Sequence, residues 1–222
     1  MTEIDPSDVT VFIVDDEPTV TDGLVWLLDS VKIACVVNNS VPSFLHALES
    51  FEGPACAVID LRMPGMSGLE LQKHLIDAGF DLPIMFLTAH GEVPAAVTAM
   101  QAGAIDFIQK PFNPDSFLTS VQRAMRLAGE RYAKRAVDLE LRRLVEQLSS
   151  RERDVLCGLL DGRTSKEIAI ALDISRKTVD VHRANLSRKL HVTTHAELIR
   201  LFGRATDFLA GADQTRSRRR PL

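Results

Sequence analysis

The 222-residue chain has no apolar run approaching the roughly 20 residues that a bilayer-spanning helix requires. A role off the membrane is therefore expected. Its first residues, Met1 to Asp8, are acidic and lack the basic and apolar regions of a secretory signal. Cysteine is scarce and odd in number: Cys35, Cys56 and Cys157 stand far apart, mostly in apolar settings. That excludes a disulfide framework or a thiolate metal cluster and fits buried thiols in a reducing compartment. No internal repeat is visible. These absences together point to the cytoplasm.

What is present is ordinary in bulk and uneven in detail. Hydrophobic residues make up 45% and charged residues 25%, the balance of a globular protein able to form one large or two modest domains. The formal charge of −4 conceals an asymmetry. Residues 1–128 carry 6 Lys and Arg against 17 Asp and Glu, residues 129–148 carry 5 against 4, and residues 149–222 carry 15 against 9. An acidic front and a basic back imply two domains with different partners, the second a candidate for nucleic acid.

Along residues 8–127, apolar runs near 10–15, 33–38, 55–60, 83–88 and 105–109 alternate with helical patterns near 18–31, 42–50, 67–78, 93–102 and 114–127. Five strands interleaved with five helices predict an α/β fold with a doubly wound, five-stranded parallel sheet. Residues 128–147 read as a helical linker, and Val137, Leu141, Leu144 and, just beyond it, Leu148 form a short heptad-like seam, which leaves two readings open: a solvated helix or one that pairs with its twin. Helices at 150–160, 165–172, 176–190 and 195–205 predict a second, all-α domain over 148–208. The Arg-rich tail at 209–222 reads as disordered.

The chemistry lies at the strand ends. Asp15 and Asp16 follow one apolar run and Asp60 another; Thr88 ends a third and Lys110 follows a fourth. Open parallel sheets place ligand sites at this edge. Mg²⁺ takes oxygen ligands, typically one or two carboxylates with water and phosphate oxygens, so Asp15, Asp16 and Asp60 suit it. Asp60 stands alone on its strand end and is the candidate nucleophile. Lys110 would supply fixed positive charge and Thr88 a hydroxyl donor. Taken singly, an Asp-Asp pair is often a turn before a helix, here Glu17-Pro18, and a Thr or Lys at a strand end is often structural. Four such coincidences at four strand ends of one sheet favour the functional reading.

These residues carry a resemblance. Val14-Asp15-Asp16-Glu17, the run Asp60 to Gly68, Leu87-Thr88-Ala89 and Lys110-Pro111-Phe112 resemble the flavodoxin-like receiver domain of two-component response regulators over residues 8–127. The resemblance implies that a sensor histidine kinase phosphorylates Asp60. It implies that Asp16 and Asp60 bind Mg²⁺ with the main-chain carbonyl of Arg62, with Asp15 acting mostly through water. It also implies that Thr88 and Phe107 move together as a switch, and that Lys110–Pro111 is cis. Phe107 stands where many relatives carry Tyr, so a hydroxyl contact made there by relatives is missing.

In the basic half, residues 164–172, a tight turn and residues 175–183 read as a helix-turn-helix. Ile168, Ala169, Leu172, Ile174 and Val179 form its expected core, and Ser175 caps the second helix. That helix is dense in cations: Arg176, Lys177, Arg183, Arg188 and Lys189. Leu148 to Leu156, Lys166-Glu167-Ile168-Ala169 and Thr178 to Leu190 resemble the LuxR-type DNA-binding domain of NarL/FixJ response regulators, with His182 to Asn185 leaning to the FixJ side. The resemblance implies that Asp180, Val181 and Ala184 face base edges, while Arg176, Lys177, Thr178 and Arg188 lie nearer phosphates; Lys166 and Arg183 complete the expected DNA-contacting set. Asp180 and Ala184 replace the Lys of some relatives, and an acid can accept from cytosine N4, so a different target sequence follows.

The expectation is a transcription regulator, an activator by resemblance, that dimerises on phosphorylation and engages promoter DNA and RNA polymerase. It is not an enzyme, although the receiver assists its own phosphorylation and dephosphorylation. Two rivals remain. A haloacid-dehalogenase-like phosphatase would carry its nucleophile in an Asp-x-Asp motif, a spacing that Asp15-Asp16 lacks. An interaction module that never accepts phosphate would dispense with the acceptor set.

Overall fold

The computed structural model describes residues 8–89 and 93–202. Five strands, β1 (Thr10–Val14), β2 (Cys35–Asn38), β3 (Ala55–Ile59), β4 (Ile84–Thr88) and β5 (Asp106–Gln109), form one parallel sheet in the order β2-β1-β3-β4-β5. Between and after them run α1 (Pro18–Ser30), α2 (Val41–Glu49), α3 (Gly68–Asp77), α4 (Val93–Gln101) and α5 (Pro114–Glu146). The strands are apolar on both faces because helices cover both. Phe12, Val14, Ala57, Ile59, Ile84 and Phe86 enter one core; Val11, Ile13, Cys56, Val58, Met85 and Leu87 enter the other. The strand order reverses at β1, and the carboxyl ends of β1 and β3 lie side by side there.

The helix expected at 114–127 and the expected linker helix are one element. α5 continues through Gly129 to Glu146, although a glycine within a helix costs about 1 kcal/mol. The boundary between two compact units, Met1–Arg135 and Ala136–Leu222, falls inside it. The heptad-like seam is divided: Val137 is exposed, whereas Leu141, Leu144 and Leu148 pack into the core of the second unit. Three of the four seam residues are therefore taken up by the chain's own interior.

That core is closed by α6 (Ser150–Leu160), α7 (Ser165–Leu172), α8 (Arg176–Leu190) and α9 (His195–Phe202). Ser149 with Glu152 and Thr164 with Glu167 form reciprocal capping boxes that start α6 and α7. α6 ends on Gly162 at φ +77, and the turn from α7 to α8 passes through Asp173 at φ +54 before Ser175 caps α8. Gly158 lets α6 approach α7 closely, because a Cβ there would meet Ile168 Cγ1 at 2.8 Å. Residues 203–205 of the last expected helix and the basic tail lie outside the described residues. Cys56 is buried and Cys35 and Cys157 are half-buried, and burial pushes the Cys56 thiol up to about 12. No helix among the described residues is long and apolar enough to cross a membrane.

Lys189 departs from its expected role on the cationic face of α8. Its Nζ donates to Glu152 Oε2 at 2.7 Å and to the carbonyl of Gln147 at 3.1 Å, which ties the end of α8 to the start of α6. The Lys189 contact, with further help from the Ser149 cap and against the cost of burial, holds the Glu152 carboxyl below its usual range. A depressed carboxyl stabilises the fold above about pH 5, and that contribution is lost as pH falls through the lowered value. The second unit of the wild type should therefore lose unfolding free energy on acidification in part through Glu152. Lys189→Met should cost about 2 kcal/mol at neutral pH and flatten this acid limb, as read by denaturant unfolding of the full chain at several pH values.

Candidate functional site

Backbone hydrogen bonds of the sheet place each side chain of the acidic site. The Asp60 N–H donates to the carbonyl of Val14 at 2.8 Å, tying the end of β3 to β1, and the Asp15 N–H donates to the carbonyl of Asn38 at 3.2 Å, tying the end of β1 to β2. The Lys110 N–H donates to the Thr88 carbonyl at 2.8 Å, which fixes the start of the β5–α5 connection beside the end of β4. The Lys110–Pro111 peptide is cis. Beyond Asp60 the chain folds back so tightly that a Cβ on Gly68 would lie 2.4 Å from the Asp60 carbonyl and 2.9 Å from the Phe86 ring. The Gly68 N–H closes this loop on Leu61, and Ser67 with Glu70 caps α3.

The result is one cation between two buried acids. Lys110 Nζ donates to Asp15 Oδ2 at 2.7 Å and to Asp60 Oδ1 at 3.1 Å. The other oxygens are held by main chain, Asp60 Oδ2 by the Arg62 N–H at 2.6 Å and Asp15 Oδ1 by the Glu17 N–H at 2.9 Å. Asp15, Asp60 and Thr88 are buried at 4%, 8% and 1% exposure, whereas Asp16 and Arg62 are exposed. Burial pushes the Asp60 carboxyl up; the Arg62 N–H and Lys110 oppose that shift, and Asp15 adds to it. Burial works against the Lys110 ammonium, but the bonds and charges of Asp15 and Asp60 outweigh it and hold its pKa above the ordinary value. An open cleft of about 430 Å³ lies over the group, lined also by Glu17, Pro18 and Ala89.

No three of the described His, Cys, Asp and Glu residues are gathered as a metal cage. Mg²⁺ does not ask for one, since it usually takes one or two carboxylates and completes its octahedron with water and phosphate oxygens. Two convergent carboxylates, with exposed Asp16 lining the same cleft, are oxygen donors that fit such an ion.

Phe107 lies outside the cleft lining. It is half-buried against the core, its ring 6.0 Å from Phe86. Residues 86 and 107 pair in register, as do 88 and 109, and alternate residues share a face, so Thr88 and Phe107 lie on the same side of the sheet. In the sequence Gly68 stands only as the last residue of the run Asp60 to Gly68; its place after the loop that follows Asp60 and at the start of a helix was the available signal.

In the second unit, α8 buries Val179, Leu186 and Leu190 and exposes Lys177, Asp180, Val181, Ala184 and Arg188 along the opposite side. Lys166 and Arg176 are exposed and Thr178 is half-buried. Ile168, Ala169 and Val179 are buried, with Leu172 and Ile174 packed against them. Arg183 is turned inward: its Nη1 donates to Ser165 Oγ at 2.7 Å, bridging α7 and α8. Thr178 is engaged by the Ser175 cap, and Arg188 donates to Asn185 at 3.0 Å while remaining exposed.

Comparison with known proteins agrees with both units. The family of response regulator receiver domains matches residues 11–122, and the luxR family of bacterial regulatory proteins matches residues 146–202. The transcriptional regulatory protein FixJ of Bradyrhizobium diazoefficiens is 38% identical over 88% of this chain and 95% of its own length. The response regulator protein TmoT of Ectopseudomonas mendocina is 38% identical over 90% of both. The solved structure of the response regulator StyR aligns with TM-score 0.74 at 40% identity, covering 89% of this chain and 99% of that one. The chain belongs to the two-component response regulators that join a receiver to a LuxR-type DNA-binding domain, and within them it is a FixJ-like transcription regulator rather than an enzyme.

The Gly68 contact makes a direct prediction. Gly68→Ala forces a methyl group against the Asp60 carbonyl and Phe86 and should destabilise the first unit by about 2 kcal/mol, lowering its melting temperature. An unchanged melting curve would mean that the loop after β3 yields without strain.

Proposed function

We propose that this response regulator is switched by phosphorylation of Asp60 by a sensor histidine kinase. The observation that carries the reading is the Lys110 ammonium bonded to both Asp15 and Asp60 at the carboxyl edge of a parallel sheet. The Asp60 carboxylate attacks phosphorus and the donor leaves with its bonding electrons, so an acyl phosphate forms on Asp60. Mg²⁺ held by Asp15, Asp16, Asp60 and the Arg62 carbonyl would neutralise charge on the phosphoryl oxygens. Lys110 adds a fixed positive charge, and the Thr88 hydroxyl donates to a phosphoryl oxygen. Phosphorylation replaces the singly charged carboxylate with an acyl phosphate whose oxygens carry nearly two negative charges, drawing Thr88 and Lys110 toward the new group and giving Phe107 room to follow. The change is a shift in population between two receiver states.

The receiver face formed by α4, β5 and α5 then pairs with a second copy, and the two LuxR-type domains engage two half-sites of double-stranded promoter DNA. Linking two weak modules raises affinity through effective concentration. Asp180, Val181 and Ala184 read base edges. Lys166, Arg176, Lys177, Thr178 and Arg188 contact phosphates, with Arg183 supporting α8 from Ser165 and offering its remaining guanidinium N–H groups. Support comes from the continuous exposed side of α8 that carries most of this set. We assign transcription activation, with RNA polymerase as a partner, and residence in the cytoplasm, from the resemblance to the FixJ side of the family. The domain limits follow the same reading: receiver 8–127, helical linker 128–147, DNA-binding domain 148–208 and basic tail 209–222.

Incubation with Mg²⁺ and acetyl phosphate should add one labile phosphoryl group to the wild type and none to Asp60→Asn, with a monomer-to-dimer shift in the wild type alone. Intact mass and sedimentation read both. Absence of the adduct, with a kinase also failing, would leave a constitutive DNA-binding module. On DNA, Lys177→Ala should weaken binding to all sequences alike, whereas Asp180→Asn should relax preference at a single base position by about 1–3 kcal/mol. Binding across a randomised operator library separates the two effects.

A further inference from the structure

Helix α4 is held in an unusual way. Its only buried residue among those described is Ala99, in its last turn, whereas α1 and α2 each bury three residues and α3 four. The first turns carry exposed apolar side chains, Val93 at 75% and Val97 at 48%. The C-terminal end, by contrast, is closely tied. The Ala104 N–H donates to the Ala99 carbonyl and the Gly103 N–H to the Met100 carbonyl, both at 3.0 Å, with Gly103 at φ +89. This is the six-to-one and five-to-two closure of a Schellman motif.

Onto this closure reaches one buried polar side chain from α3. Gln72, 2% exposed, directs its Nε2 to the Ala99 carbonyl at 3.2 Å and the Ala102 carbonyl at 3.4 Å. Both neighbours are acceptors, so only the amide NH₂ group satisfies them, and the orientation is set by chemistry. Gln72 is the one buried polar side chain of α3, on a face otherwise made of Leu71, Leu75 and Gly68. A buried amide bonded to helix-end carbonyls fixes position more narrowly than an aliphatic side chain, which slides without losing a directed bond.

We infer that Gln72 is a positioning residue that pins the C-terminal end of α4 to α3, so that the receiver's switch displaces α4 as a lever about this end. This rests on the proposed phosphorylation switch. Thr88 ends the strand that precedes α4, and Phe107 lies on the same side of the sheet in the core that Ala99 joins. A change at Thr88 and Phe107 therefore acts on a helix whose first turns fully bury none of their described residues and whose last turn is fastened. Without the fastening, α4 in the unphosphorylated protein samples displaced positions, and the difference between the two states shrinks.

The test uses the full chain with Gln72→Met, which keeps the shape and removes the NH₂ group, and Gln72→Glu, which sets a carboxylate against two carbonyls. Amide hydrogen exchange of unphosphorylated protein should rise at Gly103 and Ala104 in both variants, while amides of β1 and β3 stay protected. Sedimentation with and without Mg²⁺ and acetyl phosphate should give a phosphorylation-linked tightening of the dimer reduced about fivefold in Gln72→Met, chiefly because its unphosphorylated form dimerises more readily. Phosphoryl incorporation at Asp60 should be unchanged. A Gln72→Met protein with wild-type exchange at Gly103 and Ala104 and a wild-type dimer ratio would overturn the pivot, even if Gln72→Glu failed to fold. A wild type that takes up no phosphoryl group would overturn the switch itself, and the exchange result in unphosphorylated protein still decides whether Gln72 fastens α4.

Discussion

The receiver is organised around a charge that does not belong in a protein interior. Asp15 and Asp60 are nearly excluded from water, and two carboxylates so placed would repel each other. The Lys110 ammonium bonded to both makes the arrangement tenable. The requirement spreads outward. Lys110 must follow β5, β5 must pair with β4, and β3 must lie against β1 so that the two acids meet. The close packing of Gly68 on Asp60 and the main-chain bonds from Arg62 and Glu17 finish the same task, since each holds a carboxylate oxygen or the backbone beneath it.

Much of this was legible in the sequence, for a physical reason. Strands buried on both faces read as uninterrupted apolar runs, so their ends are sharp, and polar residues placed just past those ends stand out. Val11 to Val14 before Asp15 and Ala55 to Ile59 before Asp60 are clear in this way. The α8 pattern was legible likewise, because burial of Val179, Leu186 and Leu190 leaves Lys177, Asp180, Val181, Ala184 and Arg188 on the other side.

What stayed hidden depends on tertiary partners. Lys189 looked like one more surface cation and instead caps a buried Glu152, which is 37 residues away in the chain. Arg183 belongs to the same class. The seam through Leu141, Leu144 and Leu148 has the spacing of a pairing helix, yet the second unit's own core claims those residues. Spacing identifies which residues share a face; it does not say what that face meets. Gln72 was silent for a related reason, since a glutamine within an amphipathic helix ordinarily faces water.

The inward turn of Lys189 and Arg183 has a consequence for how firmly one such domain grips nucleic acid. α8 carries five cationic side chains, but one is committed to Glu152 and another to Ser165, so Arg176, Lys177 and Arg188 remain at its surface. Binding to a duplex draws much of its strength from ions released as phosphates are neutralised, about 0.9 of a counterion for each. A helix that displaces so few releases little salt and dwells briefly wherever it lands. In the proposed dimer, a second copy beside it would then lengthen the stay of each domain on DNA.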